Sequence, residues 1–226
     1  LSTYGDIYVN DAFGVCHRNH ASVVGVPQHI PGCVGLLVEK EITNLGRLIR
    51  NPKRPVVVLI GGEKVETKAP LIDNISRIAD YVLVGGLIKK EMDENNMIFN
   101  HQEKIVCPVD AVEFDGGIPD IGPKTIEFYK SKIKNAKTIL WNGPFGDINK
   151  EEYCKGTLEI AKAITNKWFC YTVAGGGETV EFIRKYKLLK KFDHISTGGG
   201  AMLSYLGGND LPAFLALQEY EDKNKN

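Results

Sequence analysis

Three glycine-dense segments of this chain are built from residues that could hold an anion. They are Gly61-Gly62 with Lys64 and Lys68 downstream, Gly175-Gly176-Gly177 followed by Glu178 and Thr179, and Gly198-Gly199-Gly200 preceded by Ser196 and Thr197. Each follows a β-type apolar run and precedes a helix-like stretch. Glycine has no Cβ, so its backbone turns sharply and approaches an anion closely. The helix behind it points unpaired N–H groups and the positive end of its dipole at the same place. One such turn is common in any βα loop. Here there are three, and one carries two lysines four residues apart, on the same helix face. The set predicts a polyphosphate held from several sides, and with it phosphoryl-transfer chemistry.

The elements that would position these loops are legible as short apolar runs. Residues 7–9, 56–60, 81–84, 104–109, 138–141 and 168–173 read as strands. Between several of them the spacing is helical: Leu71, Ile72, Ile75, Ile78 and Ala79 fall on one face, as do Tyr153, Ile160, Ala161 and Ile164. Strands alternating with helices predict an α/β fold with a parallel sheet covered by helices on both faces. The polar and glycine motifs sit where strands end, at Gly61-Gly62, Gly85-Gly86, Asp110, Asn142-Gly143-Pro144 and Gly175-Gly176-Gly177. Open parallel sheets bind ligands outside the carboxyl ends of their strands. A helix over 39–50, with Ile42, Leu45, Leu48 and Ile49 as its apolar face, is stopped by Asn51-Pro52-Lys53-Arg54-Pro55. A domain junction is expected along it.

Composition bounds the function class. Lys+Arg and Asp+Glu both total 28, which argues against non-specific nucleic-acid binding, since that needs a basic excess. No apolar run approaches membrane-spanning length. The five cysteines are scattered and form no C-x-x-C pair, so a reduced, intracellular protein is expected; a cytoplasmic monomer acting on small molecules is a separate expectation that cysteine spacing does not bear on. The chain opens on Leu1-Ser2-Thr3-Tyr4-Gly5-Asp6 and enters a strand at once. That is no signal peptide, and a piece of a longer polypeptide is expected.

Asp6-Ile7-Tyr8-Val9-Asn10-Asp11-Ala12-Phe13-Gly14, followed by His17-Arg18-Asn19-His20-Ala21-Ser22, resembles the signature stretch of the phosphoglycerate kinase family. Gly61-Gly62-Glu63-Lys64-Val65, Trp141-Asn142-Gly143-Pro144-Phe145-Gly146, Gly175-Gly176-Gly177-Glu178-Thr179 and Ser196-Thr197-Gly198-Gly199-Gly200-Ala201 match in the same order. The resemblance covers nearly the whole chain. It implies two Rossmann-like lobes joined by a helix. Residues 1–38 would end an N-terminal substrate lobe, 39–54 would form the linking helix and hinge, and 55–226 the nucleotide-binding lobe. The activity implied is reversible phosphoryl transfer between ATP and 3-phosphoglycerate, giving 1,3-bisphosphoglycerate and ADP, with Mg²⁺. By the same resemblance Lys64 and Lys68 reach the nucleotide phosphates, Lys68 following the phosphoryl group in flight. Backbone N–H groups from Ser196 to Gly200, including Gly199 and Gly200, face the transferring oxygens, and Arg18 takes the 3-phosphoglycerate side. Gly62, Gly176, Gly177, Glu178 and Thr179 belong to the phosphate loops, with Glu178 meeting Mg²⁺. Asn142, Pro144 and Gly146 shape the nucleoside pocket, Asn149 stands at the ribose, and Gly85 and Gly86 lie near the adenine.

The chain departs from the family pattern in places. Glu178 stands where the family has Asp, Asn149 where it has a ribose-binding glutamate, and Leu87 where a third glycine is usual. The stretches after Gly86 and after Asp110 read as short, and the family's early N-terminal lobe is not among the residues of this sequence. A nucleotide-binding fragment without catalysis, or a partner-binding fragment, therefore stands open beside the catalytic reading.

Overall fold

The computed structural model describes residues 1–62, 65–114 and 117–224. Two short strands, β1 (Tyr8–Asn10) and β2 (Gly32–Val34), pair in parallel near the N-terminus, and the helix α1 (Leu36–Arg50) follows. The main sheet then alternates strictly with helices through β3 (Val56–Ile60), α2 (Val65–Ser76), β4 (Tyr81–Val84), α3 (Gly86–Glu94) and β5 (Ile105–Val106). An antiparallel hairpin, β6 (Ala111–Phe114) and β7 (Gly117–Ile121), interrupts the alternation. It resumes through α4 (Pro123–Ile133), β8 (Thr138–Asn142), α5 (Lys155–Thr165), β9 (Tyr171–Gly175), α6 (Gly177–Lys185), β10 (His194–Ile195) and α7 (Gly199–Leu206), and α8 (Pro212–Asn224) closes the chain.

The sheet is parallel throughout, in the order β5-β4-β3-β8-β9-β10. The order reverses between β3 and β8, so the loops leaving these two strands diverge and open a crevice at their carboxyl ends. Val56, Val58 and Ile60 of β3 face one hydrophobic cluster with α1, α2 and α7, while Val57 and Leu59 face a second with α4, α5 and α6. All five are buried. This explains why the strand reads as an unbroken apolar run: both faces are covered, and burying each such side chain stabilises by about 2 kcal/mol. The expected α/β architecture is the one observed.

Several boundaries differ from the sequence reading. Helix α1 starts at Leu36 because Asp11 Oδ1 accepts the N–H groups of Leu37 at 2.7 Å and Val38 at 3.1 Å, a cap supplied from far away in the chain. The strand expected over 104–109 shrinks to Ile105–Val106. Beyond it, the N–H groups of Val109 and Asp110 donate to Thr125 Oγ1 rather than to a neighbouring strand. The last long strand begins at Tyr171, since Phe169 takes a left-handed φ of 60° and cannot continue a ladder. Helix α8 leaves the sheet and packs on the 21–28 turns and β2. No helix among the described residues is long and apolar enough to cross a membrane.

Candidate functional site

At the switch point the two central loops are tied backbone to backbone. Gly61 N donates to Asn142 O at 2.9 Å, and Gly62 N to Pro144 O at 2.6 Å. Gly62 and Gly143 hold φ values of +72° and +89°, a region open to glycine and strained for other residues. A Cβ on Gly62 would lie 3.0 Å from Lys68 Nζ and 3.4 Å from Glu178 Oε2. The ammonium and the carboxylate thus flank the same bare stretch of backbone. Lys68 projects from the first turn of α2, is 8% exposed, and donates to Gly61 O at 2.5 Å.

The neighbouring loop is braced from behind. Asn142 Nδ2 donates to Gly175 O at 3.0 Å, and Gly143 N donates to Thr179 Oγ1 at 2.7 Å. Both side chains are buried. Their hydrogen bonds fix the shape of the glycine turns, so they act as braces for the loops. Helices α3, α6 and α7 each begin behind a glycine, at Gly85, Gly176 and Gly198, with no side-chain cap among the described residues. Their first-turn N–H groups therefore remain for a ligand.

Two adjoining cavities result. One of about 320 Å³ lies between Gly62, Gly85, Gly86 and the run from Pro144 to Asn149, with Gly146 in its lining and Phe145 and Tyr153 as aromatic walls; Leu87 also borders it. A second of about 500 Å³ joins Lys68 and Asn142 to Gly176, Gly177, Thr179, Gly199 and Gly200. Glu178 lines both. The outer wall of the first comes from Gly117 and Pro119 of the hairpin. The hairpin is anchored where Asp120 Oδ2 accepts Gly156 N at 2.7 Å, and burial pushes that carboxyl up to about 6. The geometry is a trough with a ring-sized lobe at one end and a cationic, N–H-lined lobe at the other. Arg18 is exposed and lines neither cavity. Lys64 lies outside the described residues.

The Thr197–Gly200 turn is held by groups that sequence reasoning missed. Glu41 of α1 is 1% exposed and faces His194 of β10, with Oε2 2.8 Å from His194 Nε2. Its other oxygen accepts Thr197 N at 2.6 Å and Thr197 Oγ1 at 2.8 Å. Burial works against the charged form of Glu41, but the hydrogen bonds from His194 and Thr197 outweigh it and hold its pKa below the ordinary value. His17 packs on the same turn, its Nε2 lying 2.8 Å from where a Cβ on Gly200 would sit. Burial, then the charges of Arg18 and His20, lower the His17 pKa. The one signal available in the sequence was the His17-Arg18-Asn19-His20 cluster itself.

Among the described residues no group of three or more His, Cys, Asp or Glu could hold a metal alone. A magnesium ion commonly takes one or two carboxylates and completes its shell with substrate phosphates and water. Glu178, shared by both cavities, fits that role.

Comparison with known proteins agrees along the chain. The family model for phosphoglycerate kinase matches residues 1–96 and 89–209. The match divides where the stretch after Gly86 reads as short. A phosphoglycerate kinase from Limosilactobacillus reuteri is 38% identical over 257 residues, covering 96% of this chain and 64% of the relative. One from Dictyoglomus turgidum is 38% identical over 260 residues, covering 97% and 66%. Both alignments are longer than the chain's 226 residues, so these relatives carry residues within the aligned span that this chain lacks. The crystal structure of phosphoglycerate kinase from Pyrococcus horikoshii superposes with a TM-score of 0.85 at 33% identity, over 98% of this chain and 66% of that one. The enzyme from Coxiella burnetii gives 0.81 at 30% identity, over 97% and 67%. The chain thus spans 64 to 66% of the length of the curated relatives it matches.

Proposed function

The chain belongs to the phosphoglycerate kinase family, and we propose that its crevice binds ADP or ATP with Mg²⁺ as the nucleotide half of a kinase acting on 3-phosphoglycerate. One observation carries the reading. A ring-sized cavity and a cationic cavity meet at Glu178, with Lys68 and the uncapped starts of α6 and α7 at the far end. The nucleoside lies along Gly85, Gly86, Pro144, Gly146 and Asn149. The phosphates run past Gly62 toward Gly176 and Gly177. Bound Mg²⁺ supplies neutralisation of phosphate charge, and Glu178 is the residue that would hold it. Lys68 and the N–H groups of Gly199 and Gly200 face the position of the transferring phosphoryl group, where fixed donors stabilise charge that develops only in the transition state. Arg18, with His17 beside the Gly200 turn, marks the 3-phosphoglycerate side.

Saturating Mg-ADP should raise thermal stability. At a hundred times its dissociation constant a native-state ligand adds about 2.7 kcal/mol, roughly 5 °C or more for a chain of this size. Glu178→Gln should abolish the Mg²⁺-dependent part of that shift and keep the part given by ADP alone. An unchanged melting temperature in a well-folded sample would reject nucleotide binding, and an unaltered Mg²⁺ dependence in the variant would reject Glu178 as the ligand.

Donor and acceptor must come nearly into contact, shielded from water, so the two sides must close on each other. Helix α1 separates Arg18 from the nucleotide loops and is the element about which closure would turn. In the protein assayed with both substrates, small-angle scattering should give a smaller radius of gyration than with either substrate alone. Equal radii in all three states would remove the hinge role. A second reading, nucleotide binding without turnover, is favoured by the position of Arg18, which is exposed and lines neither cavity. Coupled activity on 1,3-bisphosphoglycerate decides between the two.

A further inference from the structure

At the end of the sheet opposite the crevice, a cleft of about 870 Å³ opens between the last turns of α1 and the starts of β8 and β9. Four cations line it: Arg47 and Arg50 from α1, Lys53 from the segment that follows, and Lys137 from the turn before β8. None of the four forms an ion pair among the described residues. Among the described residues one carboxylate lines it, Asp193, which already accepts Thr172 N at 2.8 Å and Thr172 Oγ1 at 2.9 Å. Apolar walls complete the cleft. Arg47 lies over the Tyr171 ring at 5.1 Å from its centroid, and Phe169 stands at the rim, 92% exposed and held at a left-handed φ of 60°.

The favourable position of cations at a helix C-terminus accounts for Arg47 and Arg50. It does not account for Lys53 and Lys137, which come from two separate segments and turn to the same space. A cleft lined by one sign of charge with low-dielectric walls focuses its field on a counter-ion. Its volume lies within the range of small-molecule sites. The two guanidinium forks suit tetrahedral phosphate oxygens in a way a lone ammonium does not. We propose that this cleft is a second ligand site, separate from the crevice, for a small, multiply charged phosphate compound.

The test uses inorganic tripolyphosphate, titrated calorimetrically in metal-free buffer into protein presaturated with ADP. One binding step is expected. Arg50→Gln and Lys137→Gln should each weaken it by about tenfold or more, the loss typical of a charge-assisted hydrogen bond. Both side chains are exposed, so the unfolding midpoints should not move. Lys68→Ala, in the crevice, should leave this step unchanged, and citrate should bind more weakly. The absence of a binding step, a step insensitive to both cleft variants, a step lost with Lys68→Ala, or equal affinity for citrate would each overturn the assignment.

Discussion

Lys68→Ala is expected to lower turnover by about a hundredfold or more while weakening Mg-ADP by less than about tenfold. The asymmetry follows from where the ammonium sits. It is nearly buried and tethered to Gly61 O, on the cationic lobe of the trough and away from the ring-sized lobe, where the proposed nucleotide would make most of its contacts. A charge fixed there does little for the resting nucleotide. In the proposed function it would act on oxygens whose charge moves toward it as the phosphoryl group leaves, an interaction strongest in the transition state. Lys68→Arg should rescue little, because Gly61 and Gly62 close off the space a planar guanidinium needs. Steady-state kinetics on the protein supplied with both substrates, paired with calorimetric ADP binding, separates the two effects. Unchanged turnover with a large loss of binding would make Lys68 a simple phosphate anchor.

How much of this was readable in advance depended on how local each cause is. Strand β3 and the start of β4 were legible to the residue because burial on both faces imposes an unbroken aliphatic run. The loops Gly61-Gly62, Asn142-Gly143-Pro144 and Gly175-Gly176-Gly177 were legible because their chemistry is carried by consecutive residues. Hydrogen bonds between them fix a geometry that their spacing along the chain only suggests. What stayed hidden was non-local. The true start of α1 depends on Asp11, and the short β5 depends on Thr125. The hairpin over 111–121 was invisible as strands because Gly117 and Pro119 carry no β signal. Asn142, expected at the nucleoside pocket, lines the second cavity together with Thr179, and the polar atoms of both face other loops. Only coordinates reveal that direction.

Glu41 is the clearest case of a residue whose sequence context says nothing and whose position decides much. On α1 it would pass for a solvated charge, yet its carboxylate joins that helix to the turn that leads into Gly199 and Gly200. The partners, His194 and Thr197, lie more than 150 residues away. Glu41→Ala should therefore destabilise the protein by about 3 kcal/mol or more, because a buried imidazole loses its partner and the Thr197 N–H and hydroxyl lose their acceptor at the same time. It should also lower turnover, since the glycine turn is no longer held in register with Lys68. Glu41→Gln separates charge from geometry. Its amide oxygen can still accept from Thr197 and its nitrogen can donate to the imidazole, so most stability and turnover should survive. The pH dependence should not. Because the carboxyl pKa is lower in the folded protein than its ordinary 4.5, the wild type gains stability from ionised Glu41 above that value and loses it as pH falls through the lowered folded value. The glutamine variant has no such proton to bind, so the stability gap between the two should narrow on acidification below 4.5. Chemical denaturation of both proteins from neutral to acidic pH reads the gap directly. A gap that stays constant, or widens, would mean that the charge on Glu41 contributes nothing and that shape alone holds the turn.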